Sequence, residues 1–423
     1  MRDLQELAVW FQSRETVRDD LAPSTLPDPS FISCGRRFVS FSTNNYLALA
    51  TSPRLKARAR DALERYGVAN CESRLLGGNL DLYDELETRL AEIKHKEASL
   101  LFATGYLTNL GVLPSLVRST QLARTVGYTS RVNWKYAFFT DEFNHLSIRE
   151  GIRASGAPAI AYRHLDMDDL EGKLRVSSAH IKIIVTDGVF SQHGDIVPLP
   201  DVMSLAEQYD AVVYIDDAHG TGVLGPTGGG TTEHFGIDSE RIISMGTLSK
   251  AYGCIGGFVA TESYIVSLLR TGCTAFGFTS TLPPDQAAGV LEAIDMVRDE
   301  PERRERLWSN QRYFVSRMRA AGFEPAATCT PIVPLHVGDE RECGRLAAAL
   351  REEGIHVDAI MFPAVAIGQA RLRFIMNAHH ETADIDRLVE ILRRASLGQV
   401  VESRASETDQ GEAAAGRAAS ANR

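Results

Sequence analysis

The chain has 423 residues, of which 44% are hydrophobic and 24% charged, a balance typical of a soluble globular protein with two or three domains. The net charge of −10, from 45 basic and 55 acidic side chains, argues against a general nucleic-acid-binding role. No apolar run reaches the ~20 residues that span a bilayer, and the charged N-terminus has no signal-peptide core. The six cysteines form no CxxC pair, so we expect reduced thiols and a cytoplasmic protein.

Residues 1–50 predict an N-terminal helix followed by a strand. Helical spacing extends from Leu4 to about Arg18, and a proline-rich turn follows it. Phe38 to Phe41 predicts a short strand. This segment leads into the large domain that we predict over residues 51–285.

Within residues 51–285, short apolar strands alternate with helical segments. This alternation predicts an α/β fold with a mainly parallel central sheet and helices on both faces. The strands are predicted at 100–102, 138–140, 181–187, 211–215 and 241–246.

Polar side chains follow several of these predicted strands at the points where the strands end. In parallel sheets, ligands bind beyond the carboxyl ends of the strands. We therefore expect one site that contains His145, Asp216, His219 and Lys250.

Lys250 lies in a glycine-rich turn after a β-branched run, Ile242-Ile243. A weakly solvated lysine in such a turn has a lowered pKa and suits imine chemistry, although a surface lysine on a turn is the alternative. Asp216 ends the preceding apolar strand. It is a candidate partner for the pyridine nitrogen of pyridoxal phosphate (PLP), which PLP enzymes combine with a Schiff-base lysine.

The stretch from Leu100 to Asn109 predicts a strand, a glycine and then a helix. This geometry directs backbone N–H groups at an anion, typically a phosphate, although such turns are common in α/β proteins. The following basic stretch, residues 118–135, lacks periodicity. It favours a solvated surface loop and leaves open a basic patch for an acidic or phosphorylated partner, with Arg118, Arg124, Arg131 and Lys135 as its cations.

Residues 286–400 predict a smaller C-terminal α+β domain. It begins with a long helical segment from Gln286 to about Ala321, which contains Pro301, and continues with alternating strands and helices. Residues 401–423 contain no aromatic side chain and too little apolar surface to fold, so a disordered tail is expected.

From about Ser42 to Leu397 the chain resembles the α-oxoamine synthases, a branch of the fold-type I PLP-dependent transferases. Each matching motif is modest, but the ordered set is specific. The motifs are Asn44-Asn-Tyr-Leu47, Ser73-Arg74 with Gly77, Phe102-Ala-Thr-Gly-Tyr106, Asn144-His145, Val189-Phe-Ser-Gln-His-Gly-Asp195, Asp216-Asp-Ala-His-Gly-Thr-Gly222, Gly246-Thr-Leu-Ser-Lys250, Thr279-Ser-Thr-Leu-Pro-Pro284 and Ala370-Arg-Leu-Arg373.

The resemblance implies a role for each side chain of the expected site. Lys250 would be the Schiff-base lysine and the base for the Cα proton, and Asp216 would keep the pyridine nitrogen protonated. His219 and Ser191 would bond the phenolate oxygen, and His145 would stack on the ring.

The resemblance also implies phosphate and substrate contacts. Thr104, Gly105, Tyr106 and Thr247 would bind the phosphate, with Thr279 or Ser280 from a second subunit. Arg373 would bind the amino-acid carboxylate, with Arg371 as the alternative residue. For both arginines, the alternative role is a structural salt bridge. Asn45 and Arg74 would line the acyl-donor side.

The implied activity is a decarboxylative Claisen condensation of glycine, alanine or serine with an acyl thioester, carried by coenzyme A or an acyl carrier protein, to give an α-amino ketone. A homodimer with shared active sites is implied as well. The alternatives are another fold-type I enzyme, such as an aminotransferase, and a non-catalytic partner subunit. The sequence does not decide the amino acid or the acyl length. Asp217, where the family usually has Glu, suggests a specialised member.

Overall fold

The computed structural model describes residues 2–13, 21–129, 134–326 and 329–397. Its strands are β1 (Ser30–Ser33), β2 (Arg36–Ser40), β3 (Ala98–Phe102), β4 (Tyr136–Asp141), β5 (Ala159–Tyr162), β6 (Ile181–Asp187), β7 (Ala211–Asp216), β8 (Ile242–Thr247), β9 (Gly257–Thr261), β10 (Ile332–Gly338), β11 (Ile355–His356), β12 (Asp358–Ile360) and β13 (Ala370–Ile375). Its helices are α1 (Arg2–Ser13), α2 (Pro53–Tyr66), α3 (Asp81–Ile93), α4 (Gly105–Thr125), α5 (Leu146–Ser155), α6 (Met167–Val176), α7 (Leu199–Gln208), α8 (Thr231–His234), α9 (Ser263–Gly272), α10 (Thr274–Gly277), α11 (Pro284–Asp299), α12 (Glu302–Ala320), α13 (Glu340–Glu352) and α14 (382–397).

The central sheet confirms the mainly parallel α/β prediction. Among the described residues its seven strands lie in the order β3-β9-β8-β7-β6-β4-β5. β9 is antiparallel to both of its neighbours, and the other pairs are parallel. The carboxyl ends of β4, β6, β7 and β8 therefore meet at the same edge of the sheet.

Helices cover both faces of this sheet, because successive side chains of a strand point to opposite sides. Phe138 packs in one apolar cluster with residues of α4 and α5, and its neighbour Phe139 packs in another with residues of α6 and α7. Burying such a side chain contributes about 1.5–3 kcal/mol. The two clusters hold the sheet rigid under the site at its edge.

The smaller C-terminal part contains two further sheets. β13 lies between β10 and β12, and all of its pairs are antiparallel. The N-terminal strand β2 pairs with β1 and also, in parallel, with β11. The predicted segment 1–50 thus joins the C-terminal part by backbone pairing, and the proposed domain boundaries stay predictions.

The structure corrects the long helix predicted from Gln286 to Ala321. α11 ends at Asp299 and α12 begins at Glu302, with Pro301 as the N-cap of the second helix. Proline lacks the N–H that a continuous helix needs and disfavours helical geometry in the residue before it. α1 ends at Ser13, so the rest of the helix predicted to about Arg18 lies outside the described residues.

The loop interpretation of residues 118–135 is also wrong in its first part. α4 continues to Thr125, which places Arg118 and Arg124 on a helix. Arg131 and the predicted tail 401–423 lie outside the described residues. In the described ranges, every helix is too short or too polar to cross a bilayer.

A buried ion pair ties α3 to the end of β7. The Lys94 ammonium contacts Asp217 Oδ2 at 2.5 Å, and the two side chains are 0% and 1% exposed. Lys94 also donates to the Gly229 carbonyl, and the Thr231 hydroxyl and amide donate to Asp217. Asp217 thus has a structural role in the packing beneath the sheet edge, whereas its neighbour Asp216 faces the site described below.

We expect Lys94→Met to destabilise the protein by about 3–5 kcal/mol, because it leaves the Asp217 carboxylate buried without its cation. The urea midpoint of unfolding, followed by circular dichroism, measures the change. Arg65→Met is the matched control, since it breaks a pair with Asp81 in which both side chains are about two-thirds exposed. Equal losses in the two variants would contradict the assignment.

Candidate active site

The strand ends open into one cavity of about 260 Å³. It forms where β6, β7 and β8 end and where α4 and α5 begin. The cavity brings together most of the site residues expected from the sequence. These are Thr104, Gly105, Tyr106, His145, Ser191, Asp216, His219, Thr247 and Lys250.

Lys250 is held in this cavity by a short chain of polar contacts. Its Nζ lies 3.0 Å from His219 Nε2, and His219 Nδ1 lies 2.7 Å from the Tyr46 hydroxyl. Tyr46 is fully buried, and its backbone carbonyl accepts from the Ala378 amide. The N-terminal segment and the C-terminal part therefore both fix the imidazole against the lysine.

The pKa of the Lys250 amine is lowered, which favours nucleophilic chemistry. Burial lowers the pKa of Lys250 to about 8, although the nearby carboxyl groups of Asp216 and Asp187 act in the opposite direction. Burial also lowers the pKa of His219 well below its ordinary value, and the positive charges of Lys250 and Arg373 add to this effect. A neutral imidazole thus lies beside a lysine that loses its proton near neutral pH.

Asp216 is buried at the end of β7 and is held on both oxygens. Its Oδ2 accepts from Asn109 Nδ2 at 2.7 Å, and its Oδ1 accepts from the Ala218 amide at 3.1 Å. The Asn109 Oδ1 in turn accepts from the Tyr214 hydroxyl at 2.7 Å. These contacts fix the carboxyl group in one orientation at the cavity wall.

His145 precedes α5 as its N-cap. Its Nδ1 lies 2.7 Å from the Ser147 hydroxyl and 3.3 Å from the Ser147 amide. Its own amide donates to Asp187 Oδ2, and its ring meets Tyr106 edge-on at 6.3 Å. Burial lowers the pKa of His145. The pKa of Asp187 is raised well above its usual range by burial and by Asp216.

The start of α4 forms an anion-binding end of the cavity. Thr104 caps the helix by accepting from the Leu107 amide, and Gly105 is the first helical residue. A Cβ on Gly105 would lie 2.9 Å from Met245 Cε and 3.0 Å from Thr247 Oγ1, so a larger residue would push against the side chains at this end of the cavity. The free N–H groups and the positive end of the helix dipole suit a phosphate.

Arg373 and Arg371 lie two residues apart on β13 but face different neighbours. Arg373 donates to the Ser191 carbonyl and pairs with Asp358 at 2.8 Å, and its charge acts on Lys250 and His219. Its Nε is buried and has no hydrogen-bond partner among the described side chains and backbone. Arg371 instead donates to the Gln192 carbonyl. The geometry favours Arg373 for an anionic substrate group.

The two residues expected on the acyl-donor side do not line the cavity of this chain. Arg74 is 1% exposed and pairs with Glu87 at 2.6 Å, and its guanidinium lies over the Tyr83 and Phe276 rings. Asn45 is buried, and its Oδ1 accepts from the amides of Leu49 and Ala50. Both contacts are structural, and the substrate roles stay predictions.

Thr279 and Ser280 also lie outside the cavity lining of the chain that carries them. They follow α10 in a segment without regular secondary structure, next to Phe278, which is 83% exposed. This position matches a contribution to another subunit, which remains a prediction.

Four residues of the site were not identified from the sequence: Tyr46, Asn109, Ser147 and Asp187. Asn109 lies four residues after Gly105, so helical spacing would have placed both on one face of α4. Asp187 ends a predicted strand, as Asp216 does. Tyr46 lies inside a quoted motif, but its contact with His219 spans 173 positions and has no local signal.

Comparison with known protein families gives an independent result. The chain matches the family described as aminotransferase class I and II over residues 36–392.

Named relatives are similar over almost the whole chain. The 8-amino-7-oxononanoate synthase 1 of Bacillus velezensis is 39% identical over 394 residues, which are 93% of this chain and 95% of that protein. The 8-amino-7-oxononanoate synthase of Symbiobacterium thermophilum is 42% identical over 360 residues, which are 85% and 88% of the two chains.

Solved structures share the fold. A high-resolution structure of SPT with PLP has a TM-score of 0.85 at 27% identity and covers 93% of this chain and 98% of its own. The serine palmitoyltransferase of Sphingomonas wittichii has a TM-score of 0.85 at 25% identity, with 94% and 98% covered.

We expect the Lys250 amine of the cofactor-free chain to react with an amine-selective acylating reagent with a half-maximal rate near pH 8. Below that pH the lysine holds its proton and is unreactive, and above it the neutral amine attacks. Mass spectrometry of the labelled peptides measures the rates, and the ordinary lysine pKa of about 10.4 is the reference value. A midpoint at the reference value would contradict the lowered pKa.

Proposed function

Because the chain belongs to the aminotransferase class I and II family and, within it, to the α-oxoamine synthases, we propose that it condenses L-alanine with a dicarboxylic acyl thioester. The reaction class is that of a PLP-dependent C-acyltransferase, which joins an amino acid to an acyl thioester with loss of carbon dioxide. The amino acid, the acyl group and the residue roles below are our proposal.

One observation carries the proposal: the cavity places a low-pKa lysine beside a buried carboxyl group and a helix N-terminus. These features fit PLP at three points. The Lys250 amine suits its aldehyde, the Asp216 carboxyl its pyridine nitrogen, and the start of α4 with Thr247 its phosphate. The Gly105 cradle, which a side chain would fill, supports the phosphate end.

When bound, PLP withdraws electrons from the substrate Cα, and the surrounding residues supply orientation and proton transfer. Asp216 would hold the pyridine nitrogen protonated, and His219 and Ser191 would bond the phenolate oxygen. Lys250 would remove and later return the proton at the substrate Cα. Arg373 would bind the amino-acid carboxylate, as a planar guanidinium does in a bidentate pair.

The bonds balance as a decarboxylative Claisen condensation. The substrate Cα loses a proton to Lys250 and forms a bond to the thioester carbonyl carbon. The carbon–sulfur bond breaks, and the leaving thiolate takes one proton from solvent. The original carboxyl group then departs as carbon dioxide, and a proton from Lys250 replaces it at Cα. The product is an α-amino ketone.

The choice of alanine follows from the names of the relatives at about 40% identity. In 8-amino-7-oxononanoate the amine is on C8, beside the C7 ketone and the C9 methyl group. C8 and C9, with the amine, correspond to alanine without its carboxyl group. The remaining seven carbons, C1 to C7, are a dicarboxylic acyl chain whose C7 is the ketone. The solved neighbours named serine palmitoyltransferase make serine the competing amino acid.

The acyl carrier is either coenzyme A or an acidic acyl carrier protein. The basic stretch 118–135 supports a contact with phosphates or with acidic side chains. Its Arg118 already donates to the Ala154 carbonyl, which anchors this part of the stretch to the end of α5. We take the coenzyme A thioester as the first donor to test.

We infer a homodimer with shared active sites. Phe278 is 83% exposed and Leu76 is 77% exposed, and the loop that carries Leu76 is bonded to the Phe278 segment through Ser73 and Gly277. Two highly exposed apolar side chains on hydrogen-bonded segments favour a protein interface here. Docking this face against a second copy would bring Thr279 and Ser280 toward the partner's cavity.

We also infer a cytoplasmic enzyme. All six cysteines lie within the described ranges, and no two of them form a disulfide bond. Reduced cysteines, three of them exposed, suit a reducing compartment.

With coenzyme A thioesters and added PLP, we expect thiol release that requires an amino acid. L-Alanine should exceed glycine and L-serine by about tenfold in kcat/KM, since one methyl or hydroxyl group is worth roughly that much discrimination. Lys250→Ala should lower kcat by about 10²–10⁴-fold, because it removes the proton-transfer group. A thiol-reactive chromophore and carbon dioxide release measure turnover.

Lys56→Ala, which removes an exposed lysine on α2, is the matched control and should keep wild-type turnover. An oxo acid formed without any acyl donor, with no thiol release, would identify an aminotransferase instead. A chain that shows neither a cofactor absorbance band nor turnover would be a non-catalytic partner subunit. Preference for serine would overturn the alanine assignment while leaving the reaction class intact.

Phe278→Asp should convert the dimer to a monomer and lower kcat, because a carboxylate at the centre of an apolar interface is desolvated without a partner. Analytical ultracentrifugation measures the mass. Val176→Asp is the matched control, since Val176 is equally exposed, at 82%, at the end of α6. A dimer that survives Phe278→Asp would place the interface elsewhere.

A further inference from the structure

A continuous line of hydrogen bonds connects Asp216 to His145 along one side of the cavity. Asn109 Nδ2 lies 2.7 Å from Asp216 Oδ2 and 2.8 Å from the Ser147 hydroxyl. The Ser147 hydroxyl lies 2.7 Å from His145 Nδ1. Asn109 is 0% exposed and Ser147 is 1% exposed, so this line is shielded from bulk water.

The direction of every bond in this line follows from one backbone group. The Ser147 amide lies 3.3 Å from His145 Nδ1, and a backbone N–H can only donate. Nδ1 therefore carries no proton and accepts. The Ser147 hydroxyl, which also contacts Nδ1, must then donate to it, and its oxygen is left to accept from Asn109.

The remaining bonds follow from the asparagine. The NH₂ group of Asn109 must face Ser147, and its second hydrogen points at Asp216 Oδ2. Its carbonyl oxygen then faces the Tyr214 hydroxyl, which donates to it at 2.7 Å. Each polar atom of the amide thus has a partner of the correct kind, and the reversed amide would oppose like groups.

We propose that Asn109 and Ser147 are positioning residues that hold His145 in its neutral Nε2–H tautomer and couple it to the Asp216 carboxyl group. The inference rests on the proposed roles of His145 and Asp216. Nε2 is left as the ring proton donor of His145 toward the cavity, and the imidazole is kept uncharged beside Lys250. Protonation of Nδ1 would require the Ser147 hydroxyl to rotate its hydrogen away from Nδ1. The NH₂ group of Asn109, which donates to that hydroxyl, opposes this rotation.

The ionisable surroundings of His145 act alongside this line of bonds. The groups that face it are Asp216 of β7, Asp187 of β6, Lys250 beyond β8, Arg149 of α5 and Tyr106 of α4. Asp216 raises the pKa of His145, whereas burial, Lys250 and Arg149 lower it, with burial as the largest cause. Among the described residues none of these groups is hydrogen-bonded to a ring nitrogen of His145, and the contacts that select the tautomer are those of Ser147 with Nδ1.

The test is nuclear magnetic resonance of the full, cofactor-free chain labelled with ¹⁵N-histidine, with the His145 signals assigned by their loss in His145→Gln. We expect a proton on Nε2 and a bare Nδ1 in the neutral form. Ser147→Ala and Asn109→Ala should each raise the His145 pKa by about one unit, a tenfold change in proton affinity. The first variant removes the hydroxyl donor, and the second lets the hydroxyl rotate and accept.

The double variant distinguishes the effect of this line of hydrogen bonds from a general disruption of the structure. Because Asn109 acts on His145 mainly through Ser147, adding Asn109→Ala to Ser147→Ala should shift the His145 pKa by less than Asn109→Ala does alone. Ser115→Ala is the matched control, since it removes a buried hydroxyl of α4 that donates to the Gly111 carbonyl and is not part of this line, and should leave His145 unchanged. Thermal unfolding checks that each variant folds, and Ser147→Thr, which keeps the hydroxyl, decides the case if Asn109→Ala does not fold.

A proton on Nδ1 in the wild-type chain would overturn the proposal, as would a wild-type His145 pKa in both single variants or additive shifts in the double variant. These readouts do not depend on turnover. If the condensation assay fails while the tautomer and its shifts are found, only the proposed function is lost. If condensation occurs while Nδ1 carries the proton, only this inference is lost.

Discussion

Burial of the Asp216 carboxyl group is the constraint on which the rest of the site depends. A buried carboxyl group is costly unless it is hydrogen-bonded, and the structure meets this need with Asn109 and the Ala218 amide. Asn109 can do so only because α4 packs against the strand ends at this point. The position of the helix, and with it the phosphate-binding end of the cavity, is tied to the same contact.

α4 therefore serves two functions from its first turns. Gly105 and the free N–H groups of the first turn lie at the anion-binding end, and Asn109, one turn later on the same face, reaches Asp216. The separation of these groups along the helix, about 6 Å for four residues, sets the distance between the two ends of the cavity. A rigid ligand with an anionic group and a ring nitrogen is thus selected by the helix geometry.

The sequence predicts the strand ends well and the contacts between distant segments poorly. Lys250, Asp216 and His145 follow apolar runs, so their common location could be inferred from strand topology alone. The Tyr46–His219 contact could not, because it depends on how β2 and β13 bring the N-terminal segment against the sheet edge. Pro301 is a local signal for the helix break, whereas the helical state of Arg118 has no local signal, because α4 lacks a clear amphipathic pattern.

The two adjacent acids at the end of β7 have different roles, one in stabilising the fold and the other in the site. Asp216 faces the cavity, whereas Asp217 lies against the Lys94 ammonium and the Thr231 hydroxyl. Asp217 is thus occupied by its ion pair, and the carboxyl groups that act on the pKa of Lys250 are those of Asp216 and Asp187. Both raise that pKa, but burial outweighs them and lowers it to about 8. The fraction of neutral amine near neutral pH is therefore far larger than in an ordinary lysine, and this fraction is what a nucleophile needs.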